Sequence, residues 1–394
     1  MSSVQAVAGS SDVEDVALDL VRDRLAALGR QYTPVDVATA MRAEGLIVSD
    51  SAVLDTVESL RRQSVGAGPL EPLLHQPGVT DVLVNGPNQV FVDRGAGLEL
   101  TDLRFLCEGD VRRLAQRLAA SVGRRLDDAV PFVDARLADG SRVHAVLGTL
   151  ASPGTCISLR VPAQRSFSLE DCVASGSLTP GTAQLLSRMI AAKLAFLISG
   201  GTGSGKTTLL AALLALVPSR ERIVIVEDSR ELAPNHPHVV RIEGRPANTE
   251  LAGMISLTDL VRQSLRMRPD RLVVGEVRGA EICDLLTAMN TGHEGGCGTV
   301  HANSTADIPA RLEALGSLGG LPRAALHAQL ASALDAVIHI ARDDSGMRRV
   351  AEISVFVREP GSGLVRSECA VHFHPDGGSV LGPGSRQLDR MLER

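Results

Sequence analysis

Two sets of residues decide what chemistry this chain can perform: a lysine and hydroxyls embedded in glycine, and carboxylates at the ends of apolar runs. The lysine is Lys206, in the stretch Phe196-Leu-Ile-Ser-Gly200-Gly201-Thr202-Gly203-Ser204-Gly205-Lys206-Thr207-Thr208. Glycines let consecutive backbone N–H groups turn inward and cradle phosphate oxygens. Lys206 places a compact positive charge near the β and γ phosphates. The Thr207 hydroxyl is the natural ligand for Mg²⁺. Gly200 to Thr208 are therefore candidate nucleotide-binding residues, with ATP and Mg²⁺ as the cofactors that fit them.

Elements must hold this loop. The apolar run Leu194–Ile198 reads as a buried strand, and Thr207–Leu216 as a helix whose positive dipole end faces the phosphates. Strand, glycine turn and helix in that order separate a phosphate loop from an accidental lysine.

A cradle alone hydrolyses nothing. Hydrolysis needs a carboxylate to orient water and positive charge to absorb what develops on the γ-phosphoryl group. Leu272-Val-Val-Gly275-Glu276 is an apolar strand running into an acid. The position that usually offers a Mg²⁺-directed Asp is Gly275, so Glu276 is favoured as the water-orienting base. A second strand, Ile223–Val226, ends in Glu227 and Asp228. Parallel strands present their C-terminal ends to the ligand crevice, so both acids are expected near the phosphates, with Asp228 meeting Mg²⁺ through water. The segment Thr291–Asn303 sets His301 at a strand end behind several glycines. A histidine there can hydrogen-bond a phosphate oxygen or register its loss. No second His or Cys stands at ligand spacing, and His236 and His238 read as a turn. Thr258–Met267 reads as a helix stopped by Pro269, with Arg262 and Arg266 one turn apart on one face. Guanidinium forks suit phosphate, and Arg142 and Arg160 upstream could also reach nucleotide.

Taken in order, residues 1–64 read as a polar, disordered start and a small helical bundle. Val13, Val16, Leu20 and Ala27 recur at helical spacing, Thr33-Pro34 with Asp36 marks a capped start, and a third helix is expected over Asp50–Gln63. Residues 65–161 carry two hairpin signals, around Asn85–Asn88 and Ala138–Ser141, a helix over Asp110–Ser121 and a closing strand at Thr155–Arg160. That pattern predicts an α+β domain. Residues 162–169 read as a linker. From 170 to 394 helices alternate with strands at Arg222–Val226, Arg271–Val274, Gly298–Val300 and Ala336–Ile340, which predicts an α/β doubly wound parallel sheet. Two more strands, Val350–Val357 and Leu364–Phe373, extend its edge, and Ser385–Arg394 reads as a short helix.

Composition narrows the classes. Apolar residues make up 44%, and the net charge of −6 gives no basic excess for a nucleic-acid partner. Trp is absent and Tyr32 is the one tyrosine, so stacking platforms for single strands are scarce. The six cysteines form no C-x-x-C pair and read as buried free thiols in a reducing compartment. No signal peptide is expected, because Asp12, Glu14 and Asp15 interrupt the start. No apolar run reaches the roughly 18 residues of a membrane span. A GTP switch would want an Asn-Lys-x-Asp motif, which is missing.

In this order the constellations resemble the type II/IV secretion ATPase superfamily, and within it the Tad-type (CpaF-like) ATPases of Flp pilus assembly, a group also linked with conjugal transfer. Gly200–Thr208 matches the Walker A loop, Ile225–Asp228 the Asp box, Arg266–Glu281 an atypical Walker B with Gly275 included, and Gly292–Ser304 the His box. Gly68–Leu74, Asp81–Gly86 and Asp139–Arg142 match the family's N-terminal domain, so the likeness spans about residues 64–342. It implies a RecA-like P-loop NTPase domain after an α+β domain, and a homohexamer with nucleotide at subunit edges. It implies a cytoplasmic motor, peripheral at the inner face of the membrane through platform proteins, acting on pilin indirectly and not on nucleic acid. By position, Glu276 is the catalytic Glu, Glu227 the Asp-box acid, His301 the His-box histidine, and Arg262 and Arg266 the arginines preceding Walker B. The His box here is richer in glycine than the family's usual pattern. The alternative class is a nucleic-acid motor on a related RecA-like core.

Overall fold

The structure is a computed structural model that describes residues 21, 24, 25, 33–46, 48–49, 52–54, 56–57, 66–95, 97–162, 167–245, 253–343 and 346–394. The chain divides into two compact units, Met1–Pro162 and Ala163–Arg394.

In the first unit, helix α1 (Pro34–Ala43) starts as its sequence predicts. The Thr33 side chain accepts from the Asp36 N–H, and the Asp36 carboxylate accepts from Thr33 N at 2.8 Å. Gly45, at φ +74°, ends the helix. Val21, Leu25, Val37, Ala40, Met41 and Val53 share a small core. The helical positions expected at Val13, Val16, Leu20 and Ala27 lie outside the described residues, as do most of the helix expected over Asp50–Gln63 and half of the expected linker.

A short helix α2 (Glu71–Leu74) leads to strands β1 (Asp81–Asn85), β2 (Val90–Asp93) and β3 (Leu98–Leu100). Helix α3 (Glu108–Ser121) and strands β4 (Phe132–Arg136), β5 (Arg142–Val146) and β6 (Cys156–Arg160) follow. Among the described residues they form an antiparallel sheet in the order β3-β2-β1-β6-β5-β4. Period-two alternation buries Val82, Val84, Val90 and Val92 on the face that receives Val111, Leu114 and Leu118 of α3. The short β3 escaped the sequence reading because all three of its residues are exposed and nothing alternates. The cysteine expectation needs correction: Cys107 is exposed at the start of α3, and only Cys172 and Cys297 of the six are buried.

The second unit runs α4 (Leu169–Ala174), α5 (Pro180–Ala191), β7 (Phe196–Gly200), α6 (Lys206–Leu214), β8 (Ile223–Glu227), β9 (Val239–Glu243), α7 (Leu257–Ser264), β10 (Arg271–Val274), α8 (Glu281–Asn290), β11 (Cys297–Val300), α9 (Ile308–Leu318), α10 (Arg323–Ala333), β12 (Ala336–Arg342), β13 (Arg348–Arg358), β14 (Val365–Phe373), β15 (Ser379–Leu381) and α11 (Ser385–Leu392). Among the described residues the sheet order is β15-β14-β13-β12-β7-β11-β10-β8-β9. From β12 to β9 all neighbours pair in parallel, whereas β13, β14 and β15 add on antiparallel. Strands β7, β8 and β10 are buried on both faces, which explains their mostly apolar sequences. Phe196, Ile198, Ile223, Ile225 and Val273 face α5 and α6, while Leu197, Val226, Leu272 and Val274 face α7 to α10. The phosphate-loop strand β7 therefore lies between β12 and β11, and the C-terminal ends of β7, β11, β10 and β8 open on one side.

Candidate nucleotide site

The loop after β7 is shaped by positions where a side chain does not fit. At Gly200 (φ +151°) a Cβ would stand 2.4 Å from the Ile340 carbonyl oxygen and 2.7 Å from Ser204 Oγ. Gly205, at φ +94°, is the N-cap of α6, so the first N–H groups of that helix open toward the loop. Lys206 is 7% exposed, and its Nζ donates to the Gly200 and Gly201 carbonyls at 3.0 and 2.8 Å. Burial lowers its pKa, and the nearby Glu276 carboxylate works the other way, favouring the charged ammonium. Gly201 and Thr202 line a cleft of about 470 Å³ together with His301, Asn303, Asp307 and Arg311. Gly203 accepts from Arg342 Nη2 at 2.9 Å; Thr207 is half-buried and Thr208 exposed.

Glu276 stands two residues beyond β10. Its Oε2 accepts from Arg278 Nη2. Its buried Oε1 lies 2.7 Å from His301 Nε2 but is not aligned with it as a hydrogen bond, so that oxygen keeps an acceptor site unused by protein. Burial first, then the Lys206 charge, pull the His301 pKa below its ordinary value, while the adjacent Glu276 carboxylate works the other way. Lys206, Glu276 and His301, drawn from three separate stretches of sequence, thus meet around one loop.

Glu227 ends β8 and is 4% exposed. Its Oε1 accepts from the N–H groups of Glu231 and Leu232 at 3.0 and 2.9 Å, while the buried Oε2 has no hydrogen-bond partner. Burial raises its pKa. A Cβ at Gly275 would meet Glu227 Cγ at 2.5 Å. The carboxyl side chain from β8 thus fills the space above β10 where the sequence pattern would put an Asp. Asp228 follows, and its charge helps raise the Arg278 pKa after the larger effect of Glu276.

The arginines are distributed otherwise. Arg262, on the exposed face of α7, pairs with Asp284 of α8 at 2.9 Å. The helix predicted to Met267 needs correction. The α-helix stops at Ser264, a 3-10 turn takes Leu265–Met267, and Arg268 adopts φ +54°. Arg266 Nη1 donates to the Arg262 carbonyl at 3.2 Å. Arg142 and Arg160 face each other in the β5–β6 register of the first unit, with Arg160 Nε 3.1 Å from Asp81.

A family model described as type II/IV secretion system protein matches residues 63–372. The chain belongs to this family. A putative conjugal transfer protein of Mycobacterium tuberculosis is 53% identical over 338 residues, 84% of this chain and 95% of the relative. Two solved structures share the fold at lower identity. The ATPase DotB of Legionella pneumophila has a TM-score of 0.50 at 20% identity, over 82% of both chains. The pilus retraction motor PilT with bound ADP has a TM-score of 0.52 at 18% identity, over 82% of this chain and 85% of that one. Like its family, this type II/IV secretion protein is an ATP hydrolase. Among the described residues no helix is long and apolar enough to cross a membrane.

Several residues at this candidate site were not singled out from sequence. Arg278 was visible only as part of a longer matched stretch. Asn303, Asp307 and Arg311 reach the cleft because α9 starts beside it, with Ser304 Oγ donating to Asp307 at 2.7 Å. Arg342 arrives from the far end of β12, a placement that needs the sheet order to be known.

Proposed function

We propose that this protein is a hexameric motor of the Tad/Flp pilus type, with a RecA-like core, that hydrolyses Mg²⁺-ATP to drive pilus assembly or secretion. Its place would be cytoplasmic, at the inner face of the membrane through platform proteins, acting on pilin indirectly and not on nucleic acid. The observation that carries the reading is the meeting of Lys206, Glu276 and His301 at one glycine loop.

In this reading Gly200–Thr208 hold the phosphates, and Lys206 exchanges its loop carbonyls for phosphate oxygens. Glu276 Oε1, which has no directional partner, accepts from the attacking water, while Arg278 fixes the other carboxylate oxygen. His301 contacts the γ-phosphate and reports its departure to the glycine run before β11. The donor set fits Mg²⁺: hard oxygens at Thr207 and, through water, Asp228. Among the described residues no group of three or more His, Cys, Asp or Glu side chains could hold a metal ion. Once bound, the ion neutralises charge on the phosphates. Glu227 buttresses this end of the sheet. Arg262, Arg266, Arg142 and Arg160 complete the proposal as arginines that reach nucleotide within or between subunits.

The test is steady-state ATP hydrolysis on size-fractionated protein with Mg²⁺, with and without DNA. The proposal expects turnover concentrated in a six-copy fraction and indifferent to DNA. Equal turnover by monomer would refute the ring, and salt-sensitive stimulation by DNA would favour a nucleic-acid motor.

A further inference from the structure

One cationic side chain lines the cleft beside the phosphate loop, and the mechanism above gives it no task. Arg311, in the first turn of α9, borders the cleft of about 470 Å³ together with Gly201, Thr202 and His301. Another face of the helix holds it in place. Ile308, Leu312 and Leu315, at i, i+4 and i+7, are buried in the core shared with α7, α8 and α10. Asp307 and Arg311 form an adjacent i, i+4 row, a spacing that commonly ties an arginine to an acid. Here the Asp307 carboxylate accepts from Ser304 Oγ at 2.7 Å instead. Among the described residues the Arg311 guanidinium has neither an ion pair nor a side-chain hydrogen bond. Nearby arginines are committed elsewhere. Arg278 is fixed on Glu276, Arg342 on the Gly203 carbonyl, and Arg323 of α10 on Glu313 at 2.9 Å. A cation in the first turn of a helix also opposes the helix dipole, a cost that a bound anion would offset. An unpaired guanidinium across from a phosphate loop is suited to phosphate oxygens.

The wall of the cleft indicates which phosphate. His301 stands 2.7 Å from Glu276, the carboxylate proposed above to orient the attacking water. That water must lie in line with the γ-phosphorus, so the His301 wall faces the terminal phosphate and not the base or ribose. The Arg311 charge is felt at His301, where it adds to the pKa-lowering effects of burial, Lys206 and Arg278. We propose that Arg311 is a catalytic residue that binds the γ-phosphate of ATP in its own subunit, so that the site tells ATP from ADP through this side chain. This deepens the ATPase reading and rests on it. In turnover the water oxygen bonds to the γ-phosphorus and the water's proton passes to Glu276. The bond from that phosphorus to the β–γ bridging oxygen breaks, and its electron pair leaves on ADP. Arg311 holds equatorial oxygens of the γ-phosphoryl group while charge redistributes over them.

The experiment compares wild type, Arg311→Ala, Arg311→Lys and, as a control on the neighbouring ion pair, Arg323→Ala in the full chain. It measures affinity, with Mg²⁺ present, for ADP and for an ATP analogue carrying NH between the β and γ phosphorus atoms. It also measures kcat for ATP and thermal unfolding. Hydrogen bonds to charged groups are worth about 10–100-fold in affinity, so Arg311→Ala should weaken analogue binding by that factor. Its ADP affinity should match wild type, and its kcat should fall by at least about 10-fold. Arg311→Lys keeps the charge and loses the fork, so it should lie between the two. Arg323→Ala should match wild type in both affinities. The Arg311→Ala melting midpoint should stay near wild type, because an exposed side chain without a partner has little to lose. Unchanged analogue affinity in Arg311→Ala, or an equal loss for analogue and ADP, overturns the inference and leaves the ATPase reading intact. A loss that follows a lowered midpoint and is not restored in part by Lys also overturns it. Wild type that binds neither nucleotide would overturn both readings.

Discussion

Replacing Gly275 with alanine tests whether the Glu227 side chain truly fills the space above β10. The added Cβ would stand 2.5 Å from Glu227 Cγ, 3.1 Å from Oε1 and 3.2 Å from Cδ. Carbon atoms prefer about 3.5–4.0 Å, so roughly 1 Å must be yielded. The nearest atom is in mid-chain, and the carboxylate beyond it is anchored by the Glu231 and Leu232 amides, so the side chain cannot simply swing aside. Overpacking of this kind costs about 1–3 kcal/mol, and losing one amide contact adds about 1 kcal/mol. At about 2–4 °C per kcal/mol for a unit of this size, the midpoint should fall by about 2–16 °C. Thermal unfolding followed by circular dichroism reads this directly. Combining Gly275→Ala with Glu227→Ala removes the clash, so the double variant should be more stable than the sum of the single effects by about 1 kcal/mol or more. A Gly275→Ala midpoint within about 1 °C of wild type, or strict additivity, would refute the packing described for these two strands.

Two further substitutions probe the same half of the molecule. Burial holds the Glu227 pKa above its reference value of 4.5, so its contribution to stability is present below that value and is lost as pH rises through the folded pKa. Glu227→Gln should therefore raise the midpoint at pH 7, with the gain vanishing toward pH 4.5, and melts across that range would check the sign. Arg271, 1% exposed, donates to Glu221 at 2.7 Å and to the Ile190 carbonyl at 3.1 Å. Arg271→Ala should destabilise by about 3–5 kcal/mol in urea unfolding, because Glu221 stays buried with only Lys193 to pair it. It should also slow ATP turnover, since the guanidinium lies under Gly295, where a Cβ would be 1.9 Å from Nη1.

Much of this was legible because strong local signals coincide with the buried centre of the fold. The run Phe196–Ile198 and the glycines behind it mark β7 and its loop without reference to anything distant. The central parallel strands β7, β8 and β10 announce themselves as apolar runs because helices cover both faces. The acids and His301 could be ranked because parallel strands share one functional end. What escaped depends on long-range pairing. The β7–β12 register joins Ser199 to His339, and no periodicity in either segment hints at it. Strand β9 has all five residues half-buried, so neither alternation nor an apolar run marks it. The α-helix carrying Arg262 ends early because the 3-10 turn and the left-handed Arg268 precede Pro269, and residues before proline avoid the helical region.

The most direct test measures ATP turnover and fluorescent-nucleotide binding side by side in wild type, Lys206→Ala and Glu276→Gln. The convergence of Lys206, Glu276 and His301 predicts that Glu276→Gln still binds nucleotide but turns over about 10²–10⁴-fold more slowly. Lys206→Ala should lose both binding and turnover. Turnover that survives Glu276→Gln would contradict the assignment and move the water-orienting carboxylate to Glu227 or Asp228.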